Sequence, residues 1–295
     1  MRLLRLIVAT IIAITLASCG SASQAGTSRL VSASYQTDAS PGVASNAGLS
    51  APFKQKPRVT VVNAAYLASE LGSVELAIRQ ADTPSSEYAS LGQRQQHAYH
   101  LLAAHPEWVP AVLGWVPSSV RNAIQDNLAA AQQIDSLNGA SARLPHWRIL
   151  APPTPDTLMG YYNEAQQAYG VPWQYLAAIN LIETNMGRIQ GLSSAGAQGP
   201  MQFMPATWAY YGHGDVNNPH DAILAAGRYL HAHRAPGDMN RAVYAYNPSQ
   251  LYVRAVMLYA KQMFADARAY LGYYNWQVYV ETTSGEVLLP EGFSG

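Results

Sequence analysis

Residues 191–207 read Gly-Leu-Ser-Ser-Ala-Gly-Ala-Gln-Gly-Pro-Met-Gln-Phe-Met-Pro-Ala-Thr. The small residues let a backbone loop approach a ligand closely. Gln202 supplies both a donor and acceptors, and Thr207 falls in the turn that starts the next helix. Before this loop, a helix over Thr157 to Tyr169 ends at Gly170. Pro172 then takes a first-turn position in a second helix, expected to run to Met186 and stop at Gly187. Within it Leu176, Ile179 and Glu183 recur at i, i+3 and i+7, so Glu183 lies on the apolar stripe. A carboxyl group on a buried face is held protonated near neutrality, the state a general acid needs. Periodicity alone leaves open a helix-end glutamate turned sideways to solvent.

Farther on, Asn218-Pro219 precede a helical run from Asp221 to Leu230, and Ala245-Tyr246-Asn247 end another helical stretch. In order and spacing, residues 144–275 resemble the lytic transglycosylases, muralytic enzymes with a lysozyme-like fold. The resemblance rests on a helix-end glutamate, a Gly-x-Met-Gln-x-Met-Pro loop and an Ala-Tyr-Asn motif. Gln202-Phe203-Met204-Pro205 looks more like the membrane-bound B-type branch. Thr184 stands where the family usually has serine, and Pro200 where it often has leucine. The resemblance implies that Glu183 is the single catalytic acid/base and that Gln202 and Met204 line the cleft beside it. It also implies that Tyr246 and Asn247 hold the carboxyl or the sugar, and that Ser193, or alternatively Ser194, touches substrate. The reaction implied is cleavage of the β-1,4 bond between N-acetylmuramic acid and N-acetylglucosamine in peptidoglycan, with closure of a 1,6-anhydro ring and no cofactor. Of the seven acids between 144 and 275, only Glu183 combines an apolar helical face with an adjoining Gly-rich loop. Two-carboxylate glycosidases need a second acid roughly 5 to 9.5 Å away. A water-using muramidase of the same fold is the nearest alternative.

The rest of the chain sets the context. It has 295 residues, 49% of them hydrophobic and only 12% charged, with 18 basic and 18 acidic residues. A neutral, apolar chain of this kind argues against a basic nucleic-acid groove or a polybasic membrane patch. One cysteine excludes an internal disulfide framework and a thiolate-rich metal site. Arg2 and Arg5 followed by the apolar run Leu6 to Leu16 read as a signal peptide over residues 1–18, the run being too short to span a bilayer. Leu16-Ala17-Ser18-Cys19 resembles a bacterial lipobox, so Cys19 is the expected lipidation site and the protein the expected tenant of the cell envelope, anchored to a membrane and facing the cell wall or periplasm. The Ser-, Ala- and Gly-rich residues 19–59 read as a flexible tether.

The fold class expected is mainly α: a helical accessory region over 60–143, a lysozyme-like catalytic domain over 144–275 and a C-terminal β-hairpin over 276–295. In the accessory region, helices are expected over Ala64 to Gln80, from Ser85 to Pro106 and from Pro117 to Leu137. The prolines at 145, 152, 153 and 155 read as a linker or domain entrance. His97 and His100, at i and i+3, lack a clear third ligand and read as a solvated or core-edge pair. The C-terminal segment alternates from Trp276 to Glu281, turns at Ser284-Gly285 and continues through Leu289. A zinc cell-wall peptidase is a competing reading, built on His213, Asp215, His220, His231 and His233. Its His-x-His pair falls on a helical run that turns the two rings about 200° apart, so no metal is expected. A wall-binding lipoprotein without turnover is a third reading, against which the intact Glu183 argues. Fifteen of the 19 tyrosines fall from Tyr161 onward. Rings with a polar tip suit both a core and a glycan cleft, and only Tyr246 is assigned to the cleft.

Overall fold

The computed structural model describes residues 62–295. The signal peptide, Cys19 and the tether lie outside the described residues. Among the described residues there are eleven α-helices and two small antiparallel strand pairs. The architecture is therefore mainly α, with a C-terminal β-hairpin, as expected for a lysozyme-like fold. The helices are α1 (Ala64–Arg79), α2 (Tyr88–Ala104), α3 (Val109–Trp115), α4 (Ser118–Asn138), α5 (Pro155–Tyr169), α6 (Trp173–Thr184), α7 (Pro205–Tyr211), α8 (Pro219–Ala232), α9 (Met239–Tyr246), α10 (Gln250–Ala265) and α11 (Ala269–Tyr274). The strands are β1 (Arg148–Ile149), β2 (Ile189–Gln190), β3 (Val278–Thr282) and β4 (Gly285–Leu289).

Helix starts follow local side-chain chemistry. Asn63, Thr154, Asn218, Asp238 and Ser249 each accept a hydrogen bond from a first-turn N–H of α1, α5, α8, α9 and α10, satisfying donors that the helix itself cannot. Pro205 and Pro219 sit in the first turns of α7 and α8, where the missing N–H costs nothing. Gly170 closes α5 in the left-handed region (φ 70°). Other helix ends shift by one to three residues from the sequence expectation, and two departures have a clear physical reason. The short helix α3 lies between Pro106 and Pro117, because Pro110 occupies its first turn rather than breaking it. The helix α6 ends at Thr184, two residues before Met186, because Asn185 and Met186 both turn left-handed (φ 51° and 63°).

The core is organised around α10, which packs against both α4 and α6. Its buried positions Tyr252, Val253, Val256, Tyr259, Ala260 and Met263 keep the helical spacing of one broad face. They join Leu67, Leu102 and Ile124 from α1, α2 and α4 and Leu176 and Ile179 from α6 in one cluster. A buried polar knot accompanies this packing. Glu75 is fully buried and accepts hydrogen bonds from Gln95 Nε2 (2.9 Å), Asn127 Nδ2 (3.1 Å), the Tyr99 hydroxyl and Arg79. Tyr273 of α11 donates to Asn127 Oδ1 at 2.5 Å. Arg79 also reaches Gln262 of α10 (3.4 Å), which donates to Asp126 at 2.7 Å. Each member has a partner, the condition under which a buried charge is tolerated.

β1 pairs with β2 in the register Ile149↔Ile189, and β3 pairs with β4 from Val278↔Leu289 to Thr282↔Gly285. An isolated hairpin is marginal in water. Here Val278 and Leu289 pack on Ile149 in a small second core, and Gln96 of α2 brackets Gln277 with two hydrogen bonds (2.9 and 2.7 Å). No helix of the described residues is long and apolar enough to cross a membrane.

Candidate active site

Glu183 stands in the last turn of α6. Ile179 and Leu176, one and two turns earlier, are fully buried, so the stripe read from the sequence faces the core and carries the glutamate to its edge. As a residue Glu183 is half-buried. Burial pushes its carboxyl up to about 7, and a hydrogen bond from the Tyr252 hydroxyl to Oε1 (2.5 Å) offsets part of that rise. The negative end of the helix dipole acts in the same direction as burial. Among the described residues no charged group contributes to the shift. The site is thus built on one carboxyl.

The backbone leaves α6 abruptly. Asn185 N bonds Leu181 O (2.9 Å) and Met186 N bonds Asn180 O (3.1 Å), closing the helix end without a glycine. Asparagine tolerates the left-handed region, whereas methionine there is strained by an amount on the order of 1–3 kcal/mol. Surrounding bonds hold the strain in place: Asn185 Nδ2 donates to Trp276 O (3.1 Å), and the Met186 side chain is fully buried. The signal in the sequence was Asn185, the non-glycine residue best suited to this cap.

The loop then folds back onto the end of α6. Gln198 and Phe203 form an antiparallel bridge around a tight turn, with Gln202 N and Nε2 both donating to Gly199 O (3.0 and 2.9 Å). Gly199 has φ 72°, and a Cβ there would lie 1.9 Å from Val216 O, so only glycine fits. Pro200 O accepts from Thr184 Oγ1 (2.6 Å) and Asn180 Nδ2 (2.8 Å), both on α6. Thr184 Oγ1 also accepts from Gly187 N (3.1 Å). The residue after the glutamate therefore fastens the loop to α6. On the other side, Tyr246 donates to Met201 O at 2.6 Å. Loop, α6 and α9 are tied together around Glu183.

The sequence-derived residues occupy distinct places in this frame. Gln202 lies at the turn with its amide bracing Gly199, and Met204 precedes α7 as its half-buried cap. Asn247 caps the C-terminus of α9 in an extended conformation. Ser193 Oγ accepts from Ala195 N (3.3 Å) and Ala197 N (2.9 Å), so this hydroxyl shapes its own loop, while Ser194 is exposed. Tyr246 lies close enough for the Glu183 charge, after burial, to raise its phenol well above the ordinary value. The hydroxyl in direct contact with Glu183 belongs to Tyr252, which the sequence reading left among the core aromatics. Asn180 and the bracing role of Thr184 were likewise not foreseen.

The histidines of the metal reading point to separate partners. His231 Nδ1 donates to Tyr169 O (2.8 Å) and His233 Nδ1 to Tyr229 O (2.7 Å), while His220 lies between Asp221 (3.2 Å) and Glu164 (3.0 Å). Among the described residues no group of three or more metal-ligating side chains assembles.

Residues 160–264 match the model of the family described as Transglycosylase SLT domain. This span includes Glu183, the loop, the Ala-Tyr-Asn motif and Tyr252. No curated protein and no solved structure matches the chain.

Proposed function

We propose, from the match of residues 160–264 to the transglycosylase SLT family, that the protein cleaves the glycan of peptidoglycan in the cell envelope and that Glu183 performs both proton transfers of a lytic transglycosylase. The observation that carries this reading is a lone, shielded carboxyl with a pKa of about 7, held by Tyr252 beside a rigid loop. At that value the acid and its conjugate base are both accessible near neutrality, which is what one group serving two steps requires.

In the first step the protonated carboxyl gives its proton to the oxygen between N-acetylmuramic acid and N-acetylglucosamine, and the bond from the anomeric carbon to that oxygen breaks. The substrate's own N-acetyl group helps carry the positive charge. In the second, the Glu183 carboxylate takes the proton of the muramoyl C6 hydroxyl, whose oxygen closes on the anomeric carbon to form the 1,6-anhydro ring. Holding that hydroxyl in place makes the step intramolecular. Tyr252 donates to the carboxylate in the interval between the two steps. In this reading Gln202, Met204, Tyr246 and Asn247 supply the sugar-binding wall, with Ser193 as a further substrate contact.

The test is Glu183→Gln, which keeps shape but can neither donate the proton nor become the base. Peptidoglycan digestion should fall by roughly 10²- to 10⁴-fold, the worth of general acid–base catalysis, with folding intact by circular dichroism. A variant as fast as wild type would remove Glu183 from the mechanism. We further propose that Cys19 carries the lipid anchor. Cys19→Ala should release mature protein from membranes or leave unprocessed precursor, and equal membrane retention with the leader removed would contradict it.

A further inference from the structure

A concave surface lies beyond the 198–203 turn, and Glu183 is not among its lining residues. It has a volume of about 360 Å³ and is lined by Ala206, Thr207, Tyr210 and Tyr211 of α7 with Tyr229 and His233 from α8 and its end. Its rings form a connected set. Tyr210 meets Tyr211 edge-on at 4.7 Å, Tyr211 meets Tyr229 at 4.9 Å, and Tyr229 stacks on His233 at 4.1 Å with 25° between planes. Tyr229 then meets Tyr246 edge-on at 5.4 Å, so the aromatic chain is continuous with the Ala-Tyr-Asn motif of the catalytic site.

The platform is rigid. Arg228 donates to Tyr211 O and, at 2.9 Å, to the Tyr169 hydroxyl, and Tyr229 donates to Ala245 O at 2.7 Å. His233 donates through Nδ1 to Tyr229 O at 2.7 Å, so its ring is fixed. Tyr210, by contrast, is 79% exposed, the most exposed large hydrophobic side chain among the described residues. Packing gives no reason for a tyrosine there, and exposed apolar surface beside a groove marks an interaction site.

We propose that this platform is an auxiliary glycan-binding site, which holds sugar rings of the peptidoglycan chain by their uncharged faces, outside the catalytic cleft. Its lining contains no acid, lysine or arginine, so it offers nothing to the charged groups of stem peptides. Aromatic faces with hydroxyl tips match the C–H faces and hydroxyls of a sugar ring. Continuity with the catalytic loop, through Ala206 and Thr207 just after Met204-Pro205, gives one strand a path to both sites. The proposal rests on the peptidoglycan reading of residues 160–264 but not on the role of Glu183.

The experiment measures binding of peptide-free glycan strands to the full chain carrying Glu183→Gln, with and without Tyr210→Ala. Removing one exposed stacking ring should weaken binding by about 3- to 10-fold, and Tyr210→Phe should restore most of it. Wild-type-like affinity in Tyr210→Ala, no strand binding by the Glu183→Gln parent, or a loss seen only with peptide-bearing fragments would overturn the proposal. Shortening of the strands by the Glu183→Gln parent would instead contradict the catalytic assignment, while the Tyr210 comparison would still report on the platform.

Discussion

Glu183 owes its raised pKa first to burial, against which Tyr252 pulls the other way. The first step needs the protonated acid, so kcat/KM should be flat below about pH 7 and fall about tenfold per unit above it. Tyr252→Phe removes the hydrogen bond that favours the charged form. The pKa of Glu183 then rises further, and the falling limb should move to higher pH. The carboxylate formed between the two steps loses its donor as well, and a charge-assisted hydrogen bond is worth roughly tenfold or more in rate. A pH–rate profile of both proteins checks this; an unshifted limb would mean that the titrating group is not Glu183. At this scale the sequence was legible where a rule connects residue to environment. Glu183 on the Leu176–Ile179 stripe is such a case. Tyr252 is not, because a tyrosine on the apolar face of α10 reads as core, and it is core except for the one oxygen that reaches across to α6.

The site exists because α6 and the 198–203 turn are bolted together, and Thr184 is the bolt. Thr184→Val keeps the volume but removes the donor to Pro200 O and the acceptor for Gly187 N. Pro200 O keeps Asn180 as a partner, but leaving Gly187 N unpaired should cost about 1–3 kcal/mol, and loosening the loop should lower turnover. Thr184→Ser keeps every bond and should stay within about 1 kcal/mol of wild type, the worth of one buried methyl group. Urea midpoints and digestion rates of the two variants test this, and equal behaviour of the two would refute the bracing role. Helices were the most legible elements, since Gly170, Asn218 and Pro219 announce their ends locally. The end of α6 was not, because two residues without glycine are forced left-handed by tertiary bonds to Trp276 and by burial of Met186. The helix α3 hid between prolines that usually mark breaks.

The described residues form one compact unit, in which the helices before residue 139 share a core with α6 and α10. The accessory region could be recognised as helical from its caps, but its docking could not, because Glu75, Asn127 and Tyr273 meet only through contacts distant in sequence. Glu75→Ala would strip the partner from Arg79 and from three further donors. Breaking a buried pair from one side costs roughly 3–5 kcal/mol, so the whole unit should unfold earlier in one transition, with activity lost in parallel. Release of α1–α4 to proteolysis with catalysis intact would contradict this coupling. The continuous aromatic surface from Tyr246 to Tyr210 suits contact with the faces of sugar rings along a glycan chain.

The central claim is that one carboxyl hands the substrate's own hydroxyl, rather than water, to the anomeric carbon. Mass analysis of the fragments released by purified protein from peptidoglycan tests it most directly. The account predicts muramoyl ends in the 1,6-anhydro form, lighter by one water than hydrolysed ends and without reducing character. Reducing muramoyl ends as the main product would contradict it and make the protein a muramidase.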